Sequence, residues 1–455
     1  MKRCSLSLGS LGSLGLLASL ALLGPVAVPA VAHAEPTFIS IGSDAVGTAL
    51  DVAHADHAAV ALIADGDGAA ALSIDSSELE HLAEAMHARH GRCGGFVVHD
   101  SMADALGTVA DVRRPAPRPP LDYPIDRGDA VRAVLPAIRA GDILATIRAL
   151  SSRKNRYYRS ESGAQVSAWL AERWRGFTDR PDVTVELFDQ GYPQKSVILT
   201  IPGTTHPDEI VVIGGHLDSI ALGGNASNAP GADDDASGIA TLDHIAKTLL
   251  AADYRPERTL QFMAYAAEEV GLRGSQAIVR DYQRRGITVV GALQLDMTNY
   301  QGSDRDIWLI DDFTSAAQNK FVAALIERYT TATWGIDRCG YACSDHASWD
   351  RVGVPASFPH ETRSRDRNTQ IHTARDTLEV SNNNAAHAAK FAQLGAAYAI
   401  ELAKGSLGPP ADTIPITLVT AVSPACAAGC LLAHWKIFGL LLTAAALIGL
   451  SRRVG

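Results

Sequence analysis

Pro230-Gly231-Ala232-Asp233-Asp234-Asp235-Ala236-Ser237-Gly238 sets three adjacent carboxylates between a Pro-Gly turn and the small-residue start of a helix. Like charges this close repel, so a folded chain tolerates them when they are exposed or neutralised by a cation. Taken alone, the triplet reads as a solvated acidic loop. Its neighbours along the chain change that reading. Upstream an apolar run ends in His216-Leu217-Asp218; downstream others end in Glu268-Glu269 and at Asp296, and His372 follows later. Two histidines and several carboxylates at strand ends have the chemistry of a metal site.

The same stretch fixes the fold class, because a strand leads into it and a helix leaves it. Helical spacing covers 127–151, 161–176, 237–251, 271–285, 314–329 and 384–404. Strand-like runs fall at 196–201, 210–214, 259–266, 288–295, 306–310 and 352–358. Apolar strands alternating with amphipathic helices predict an α/β fold, a mostly parallel central sheet flanked by helices on both faces. Sites in such sheets form at the carboxyl ends of strands. His216, Asp234, Glu268, Glu269 and Asp296 all fall just past predicted strand ends.

The chain has 455 residues, 47% apolar and 20% charged, enough for a large core and more than one domain. A net charge of −10 argues against nucleic acid as a partner. Residues 1–34 read as a secretory signal: Lys2 and Arg3, then the apolar run Leu11 to Val28, then Ala32-His33-Ala34 as a small-x-small cleavage site. Export, to the extracellular space or periplasm, places the chain in an oxidising compartment, where Cys339 and Cys343 can form a short-loop disulfide. Zinc chelation by that pair is the rival reading.

Residues 35–122 read as a small α+β propeptide that assists folding or covers the site. Strands are expected at 38–41, 59–63 and 96–98, and a helix from Ser77 to His90 with a Ser-x-x-Glu start. His81, His87 and His90 on that helix read as solvated. Cys93 is a lone cysteine near His99, and a nucleophilic thiol there lacks a base, an orienting group and oxyanion donors. Arg113 to Pro120 holds four prolines and three arginines, the composition of an exposed linker. The catalytic domain is then 123–404, followed by a linker at 405–430. Segment 431–455 carries the apolar run Ile437–Leu450 and Arg452-Arg453. Its expected role is a sorting or anchoring segment with a short or temporary membrane span, which gives contact with a membrane and retention at the cell surface.

One aspartate bridging two metal ions suits a two-metal hydrolytic site. Two shells sharing a bridge need two histidines, one shared aspartate and two further acids. The chain supplies His216, His372, an aspartate of the triplet, Asp296 and one of Glu268 and Glu269. The other glutamate is adjacent, placed to take a proton.

Six blocks then resemble the secreted bacterial leucyl aminopeptidases with two co-catalytic zinc ions. They are Gly-Gly-His-Leu-Asp-Ser (214–219), the triplet stretch (230–238), Phe-Met-Ala-Tyr-Ala-Ala-Glu-Glu-Val-Gly-Leu-Arg-Gly-Ser (262–275), Leu-Gln-Leu-Asp-Met-Thr-Asn-Tyr (293–300), Cys-Gly-Tyr-Ala-Cys-Ser-Asp-His-Ala-Ser-Trp (339–349) and Ile-His-Thr (371–373). The resemblance spans about 127–403. It implies a metallo-aminopeptidase zymogen with two Zn2+ per chain, acting on peptides and proteins with a free N-terminus and preferring a hydrophobic, leucine-like first residue. It implies Asp234 as the bridge, Glu269 and His372 completing one zinc shell, and His216 and Asp296 the other. Glu268 is implied as the base that activates a zinc-bound water, Asp218 as the group orienting His216, and Tyr341 as the hydrogen-bond donor to the developing oxyanion. Asp218, Asp233 and Asp235 also admit a plain capping or loop role. Asp345 and His346 resemble another ligand pair, with His346 expected to support the fold.

The family's side-chain pocket segment departs here, reading Phe358-Pro359-His360-Glu361-Thr362-Arg363-Ser364-Arg365-Asp366-Arg367. Met297, Ile310 and Phe358 keep it apolar, while His360 and the three arginines would admit polar or acidic side chains. The alternatives are a single-zinc glutaminyl cyclase-type acyltransferase on the same fold and a catalytically inert peptidase-like binding domain. Metal counting and turnover separate them.

Overall fold

Val211 and Ile213 pack into one apolar cluster while Ile210 and Val212 pack into another, because successive side chains leave a strand on opposite faces. A strand apolar on both sides must be covered on both, and the chain supplies helices for each. The computed structural model describes residues 36–110, 123–221 and 227–408. The expected signal 1–34, the linker 113–120 and the tail 431–455 lie outside the described residues.

The N-terminal part runs β1 (Pro36–Gly42), α1 (Val46–Ala55), β2 (Val60–Asp65), β3 (Ala69–Asp75), α2 (Leu79–His90), β4 (Phe96–His99) and α3 (Met102–Val109). Its four antiparallel strands lie in the order β2-β3-β1-β4. Helices and sheet share one apolar cluster that also takes in Tyr157, Tyr158, Ile220, Ala267 and Val270 of the larger part. The small sheet is therefore seated on the rest of the chain through a common core.

The larger part opens with α4 (Gly128–Val134), α5 (Ala140–Ser151), α6 (Glu161–Arg175), β5 (Thr184–Phe188), β6 (Ser196–Ile201) and β7 (His206–His216). There follow α7 (Ala236–Ala251), β8 (Arg258–Tyr265), α8 (Arg273–Arg284), β9 (Thr288–Gln294), β10 (Ile307–Ile310) and α9 (Ala316–Tyr329). β11 (Trp334–Asp337), α10 (His346–Asp350), β12 (Ala356–His360) and α11 (Ala386–Ala403) complete it. The sheet order is β11-β10-β12-β9-β7-β8-β6-β5. Its centre, β12-β9-β7-β8, is parallel, and antiparallel pairs join it to β6 and β10. The expected mostly parallel central sheet forms, and the antiparallel pairs at its two sides make the whole sheet mixed. α7 and α11 cover one face, α8 and α10 the other.

The chain leaves β7 through α7 on one face of the sheet and leaves the adjacent β8 through α8 on the other. That arrangement opens a crevice at the carboxyl end of β7, where open α/β sheets bind ligands. The small-residue start of α7 lets that helix close over it. A Cβ at Gly238 would come within 2.2 Å of the Leu295 carbonyl oxygen, so no larger residue fits without moving the segment just after β9.

The single helical stretch expected over 127–151 is broken between α4 and α5, where Pro136 sits in a 3-10 turn. The strand expected at 352–358 begins later, at Ala356, because Gly353 takes φ +76° and Pro355 follows. The membrane-spanning expectation is corrected. Among the described residues no helix is long and apolar enough to cross a membrane. α11, with 18 residues including Lys390 and Glu401, falls short of the roughly 20 apolar residues a span needs.

Candidate metal centre

His216 closes β7, and its backbone N–H donates to Asp235 Oδ2 at 3.0 Å. Its Nε2 lies 2.9 Å from Asp234 Oδ1 and 3.4 Å from Asp296 Oδ1. His372, in the loop after β12, puts Nε2 3.3 Å from Asp234 Oδ2 and 2.7 Å from Glu269 Oε2. Asp234 thus stands between two groups, one oxygen facing each imidazole. His216, Asp234, Glu269, Asp296 and His372 come together from five separate segments, none more than 5% exposed.

The surrounding residues explain why they stay there. Asp235 caps α7 by accepting the Gly238 N–H, and the same Oδ1 accepts the Met297 N–H, tying β7, α7 and β9 at one point. The capping alternative for Asp235 therefore holds. Asp218 accepts the backbone N–H groups of Glu268 and Glu269 at 3.0 and 3.2 Å, and its Oδ1 lies 3.5 Å from His216 Nδ1. Asp376 accepts the N–H groups of Asp233 and Asp234, and Asn368 donates to Asp233 Oδ2. Ser344 donates to Asp296 Oδ2 at 2.6 Å.

Arg156 does most to hold the triplet loop. Fully buried, it donates to the carbonyls of Leu217 (3.0 Å), Pro230 (2.6 Å) and Gly231 (3.0 Å). The acids Asp235, Asp376, Asp234 and Asp218 around it oppose the effect of burial on its charge. Nothing in the sequence singles Arg156 out from an exposed arginine.

So many buried acids carry an electrostatic imbalance. Burial pushes the carboxyls of Glu268 and Glu269 above their ordinary range, reinforced by neighbouring acids. Burial would lower both imidazoles, yet the acids outweigh it: His216 is held well above its ordinary value and His372 is raised to about 10. Burial would raise Asp234, but its bonds to the two imidazoles hold it low. The cluster therefore attracts positive charge. Five of its buried atoms, His216 Nδ1, Glu268 Oε2, Glu269 Oε1, Asp296 Oδ1 and His372 Nδ1, lack a hydrogen-bond partner, where buried polar groups are normally paired. The donors form two sets sharing Asp234, each with ligand atoms within 4.8 Å of one another. Imidazole nitrogen and carboxylate oxygen suit zinc, so these residues fit that ion.

Tyr341 lies at the mouth, in the loop closed by the Cys339–Cys343 disulfide; the bonded sulfurs exclude the chelating alternative. Its hydroxyl accepts the Cys93 N–H at 3.0 Å. Burial pushes its phenol well above the ordinary value, so it stays protonated. His346 packs on Phe358 at 4.8 Å, and burial takes it down to about 3. It is a neutral packing residue, while burial raises Asp345 to about 7. Beside the centre is a cavity of about 300 Å³ lined on its apolar side by Met297, Phe358 and Ile371 and elsewhere by the buried His360 and by Arg365 and Arg367. Ile310 packs behind Phe358. Arg363 points elsewhere, over the Trp308 ring at 4.2 Å and onto Asp304.

Three residues of the N-terminal part depart from expectation: His87, Cys93 and His90, the last expected to be solvated but half-buried, with Nε2 2.8 Å from Thr48 Oγ1. His87, expected to be solvated, is half-buried with its ring 4.7 Å from that of His372. Cys93 reaches the centre itself, its Sγ within 3.5 Å of Asp234, Glu269 and His372. His81 is exposed as expected.

A mixed α/β sheet carrying buried imidazoles and carboxylates at its switch point has the donor set and placement of a metal-dependent enzyme. The sequence profile of peptidase family M28 matches residues 196–397. Leucine aminopeptidase 1 of Uncinocarpus reesii is 37% identical over 283 residues, 59% of this chain and 71% of that protein. The enzyme of the same name from Coccidioides posadasii (strain C735) is 38% identical over 273 residues, 56% of this chain and 69% of that one. Among solved structures, LapB from Legionella pneumophila superposes with a TM-score of 0.70 at 28% identity, covering 82% of this chain and all of that one. The LapA aminopeptidase of the same organism gives 0.69, with the same identity and coverage. The chain belongs to peptidase family M28. It is a zinc-dependent aminopeptidase, a metallo-exopeptidase hydrolase acting on peptides with a free N-terminus.

Proposed function

We propose that the chain is an exported, leucine-type aminopeptidase whose two zinc ions share the carboxylate of Asp234. In this reading residues 1–34 are the signal, 35–122 the propeptide and 123–404 the catalytic domain. The reading rests on Asp234, whose two oxygens face different imidazoles at 2.9 and 3.3 Å. His216 and Asp296 would hold one ion; Glu269 and His372 would hold the other. When bound, such a pair polarises the scissile carbonyl and lowers the pKa of water.

The protein's own groups do the rest. Glu268, buried and with Oε2 unpartnered, takes the proton of the attacking water and delivers it to the leaving amine. Tyr341 donates its phenolic hydrogen to the carbonyl oxygen as charge develops there. Asp218 fixes the Glu268-Glu269 turn through two backbone bonds and faces the free ring nitrogen of His216, as outer-shell carboxylates do. Met297, Phe358 and Ile371 give the neighbouring cavity an apolar side suited to a leucine-like first residue. The names of the Uncinocarpus and Coccidioides relatives support the same preference.

The test is release of p-nitroaniline from a panel of aminoacyl p-nitroanilides by processed protein. Activity should be highest with leucine and similar residues, vanish with a chelator and return with zinc. Turnover that survives exhaustive chelation would sink the reading.

A further inference from the structure

We propose that Cys93 is a zinc ligand in the uncleaved chain, supplying the fourth donor to the ion held by Asp234, Glu269 and His372 and thereby keeping the enzyme latent. The inference rests on the metal site and the propeptide reading above.

Cys93 Sγ lies 3.2 Å from His372 Nε2, 3.4 Å from Glu269 Oε2 and 3.5 Å from Asp234 Oδ2. A thiol has one hydrogen and can donate to only one of these atoms. Four donors converging on one point are explained better by a shared cation. With Zn–S of about 2.3 Å and Zn–N or Zn–O of about 2.0–2.1 Å, sulfur in a tetrahedral shell sits about 3.5 Å from each other donor. The three separations, 3.2, 3.4 and 3.5 Å, fall at or just below that edge length. Cys93, Asp234, Glu269 and His372 each offer one ligand atom, all within 4.8 Å of one another, and the other oxygen of that glutamate, Oε1, is buried without a partner.

The local chain is shaped to deliver this sulfur. α2 ends at Gly91 in the left-handed region (φ +61°), and Gly94 follows at φ +53°, where a Cβ would press to 3.3 Å from the Glu269 carbonyl oxygen. The turn is fastened at both sides. Arg92 pairs with Asp44 through two bonds and lies over the Tyr341 ring, while the Cys93 N–H occupies the Tyr341 hydroxyl. The one loop thus fills a metal position and engages the group proposed to meet the substrate carbonyl. On binding, the thiol proton leaves to solvent. Release is a ligand exchange without redox change, in which sulfur departs and its position opens to solvent and substrate.

The experiment uses the full uncleaved chain, loaded with Co2+ in place of zinc. The wild type should show a sulfur-to-cobalt charge-transfer band in the near ultraviolet, absent from Cys93→Ser and Cys93→Ala. Zinc-edge X-ray absorption should likewise find one sulfur at about 2.3 Å in the wild type alone. Both uncleaved variants should be at least about tenfold more active on leucine p-nitroanilide than uncleaved wild type, since the competent fraction no longer limits turnover. Peptide mapping of the unmutated chain after alkylation gives a measure independent of any variant: Cys93 should be protected with metal bound and modified once a chelator is added. Metal bound without a sulfur signal, or a signal surviving in both variants, overturns the inference and leaves the aminopeptidase reading standing. Failure of every form to bind metal removes both.

Discussion

Replacing Arg156 with Met should unsettle the metal centre without touching it. The guanidinium donates three bonds of 3.0 Å or less to the carbonyls of Leu217, Pro230 and Gly231. Hydrogen bonds from a charged group contribute roughly 1.5–3 kcal/mol each. The desolvation recovered on deleting the charge offsets part of that sum, and Met conserves much of the volume. A net loss of about 3–5 kcal/mol remains, the range for breaking a buried charged network and a large share of a usual 5–15 kcal/mol. The loop freed is the one that carries Asp234, so zinc affinity should fall about 10–100-fold, as for outer-shell groups elsewhere. Urea unfolding gives the first quantity and competition against a chelator the second. Arg156→Lys should fall between, having three donors but no planar fork. A Met variant within about 0.5 kcal/mol of wild type, with unchanged zinc retention, would refute the role given to this side chain.

Glu268→Gln should keep both metal ions and lose about 10²–10⁴-fold in kcat, the usual contribution of a positioned acid–base group. Retained activity in a metal-loaded variant would remove Glu268 as the proton carrier. Tyr341→Phe should lower kcat of processed enzyme by about 10²–10³-fold with little change in KM, as when an oxyanion donor is removed; a change confined to KM would assign it to binding. Acid should loosen the N-terminal sheet through His99, which burial, then Arg351 and Arg280, push down to about 3. Its unfolded value is about 6.5, so the unfolded chain binds the proton first and stability falls as pH drops from about 6.5 toward 3, by up to about 4–5 kcal/mol. Thermal unfolding over that range should be flatter for His99→Gln, and equal pH slopes would count against this account.

The positions easiest to read from sequence were those a parallel sheet presents by construction. His216, Glu269 and Asp296 follow apolar runs, and strand ends of that kind converge whatever lies between them. The triplet was legible because three adjacent acids need an explanation, while the choice of Asp234 within it came from the resembling blocks. His372 lies in an irregular loop, where only the spacing of the resembling blocks singled it out. Arg156 and Cys93 were not legible as site residues. Each is an ordinary residue until tertiary structure brings it 60 residues or more along the chain to its partners. β5 and β11 were missed because they are short edge strands with partly exposed faces, and β3 because Ala69-Ala70-Ala71 resembles helix.

Anomalous diffraction at the zinc edge from crystals of the zinc-loaded enzyme bears most directly on the bridging role of Asp234. The account predicts two peaks per chain about 3.5–4 Å apart, one beside His216 and Asp296, the other beside His372 and Glu269, with an Asp234 oxygen on each. A single peak, or two that do not share Asp234, would contradict it.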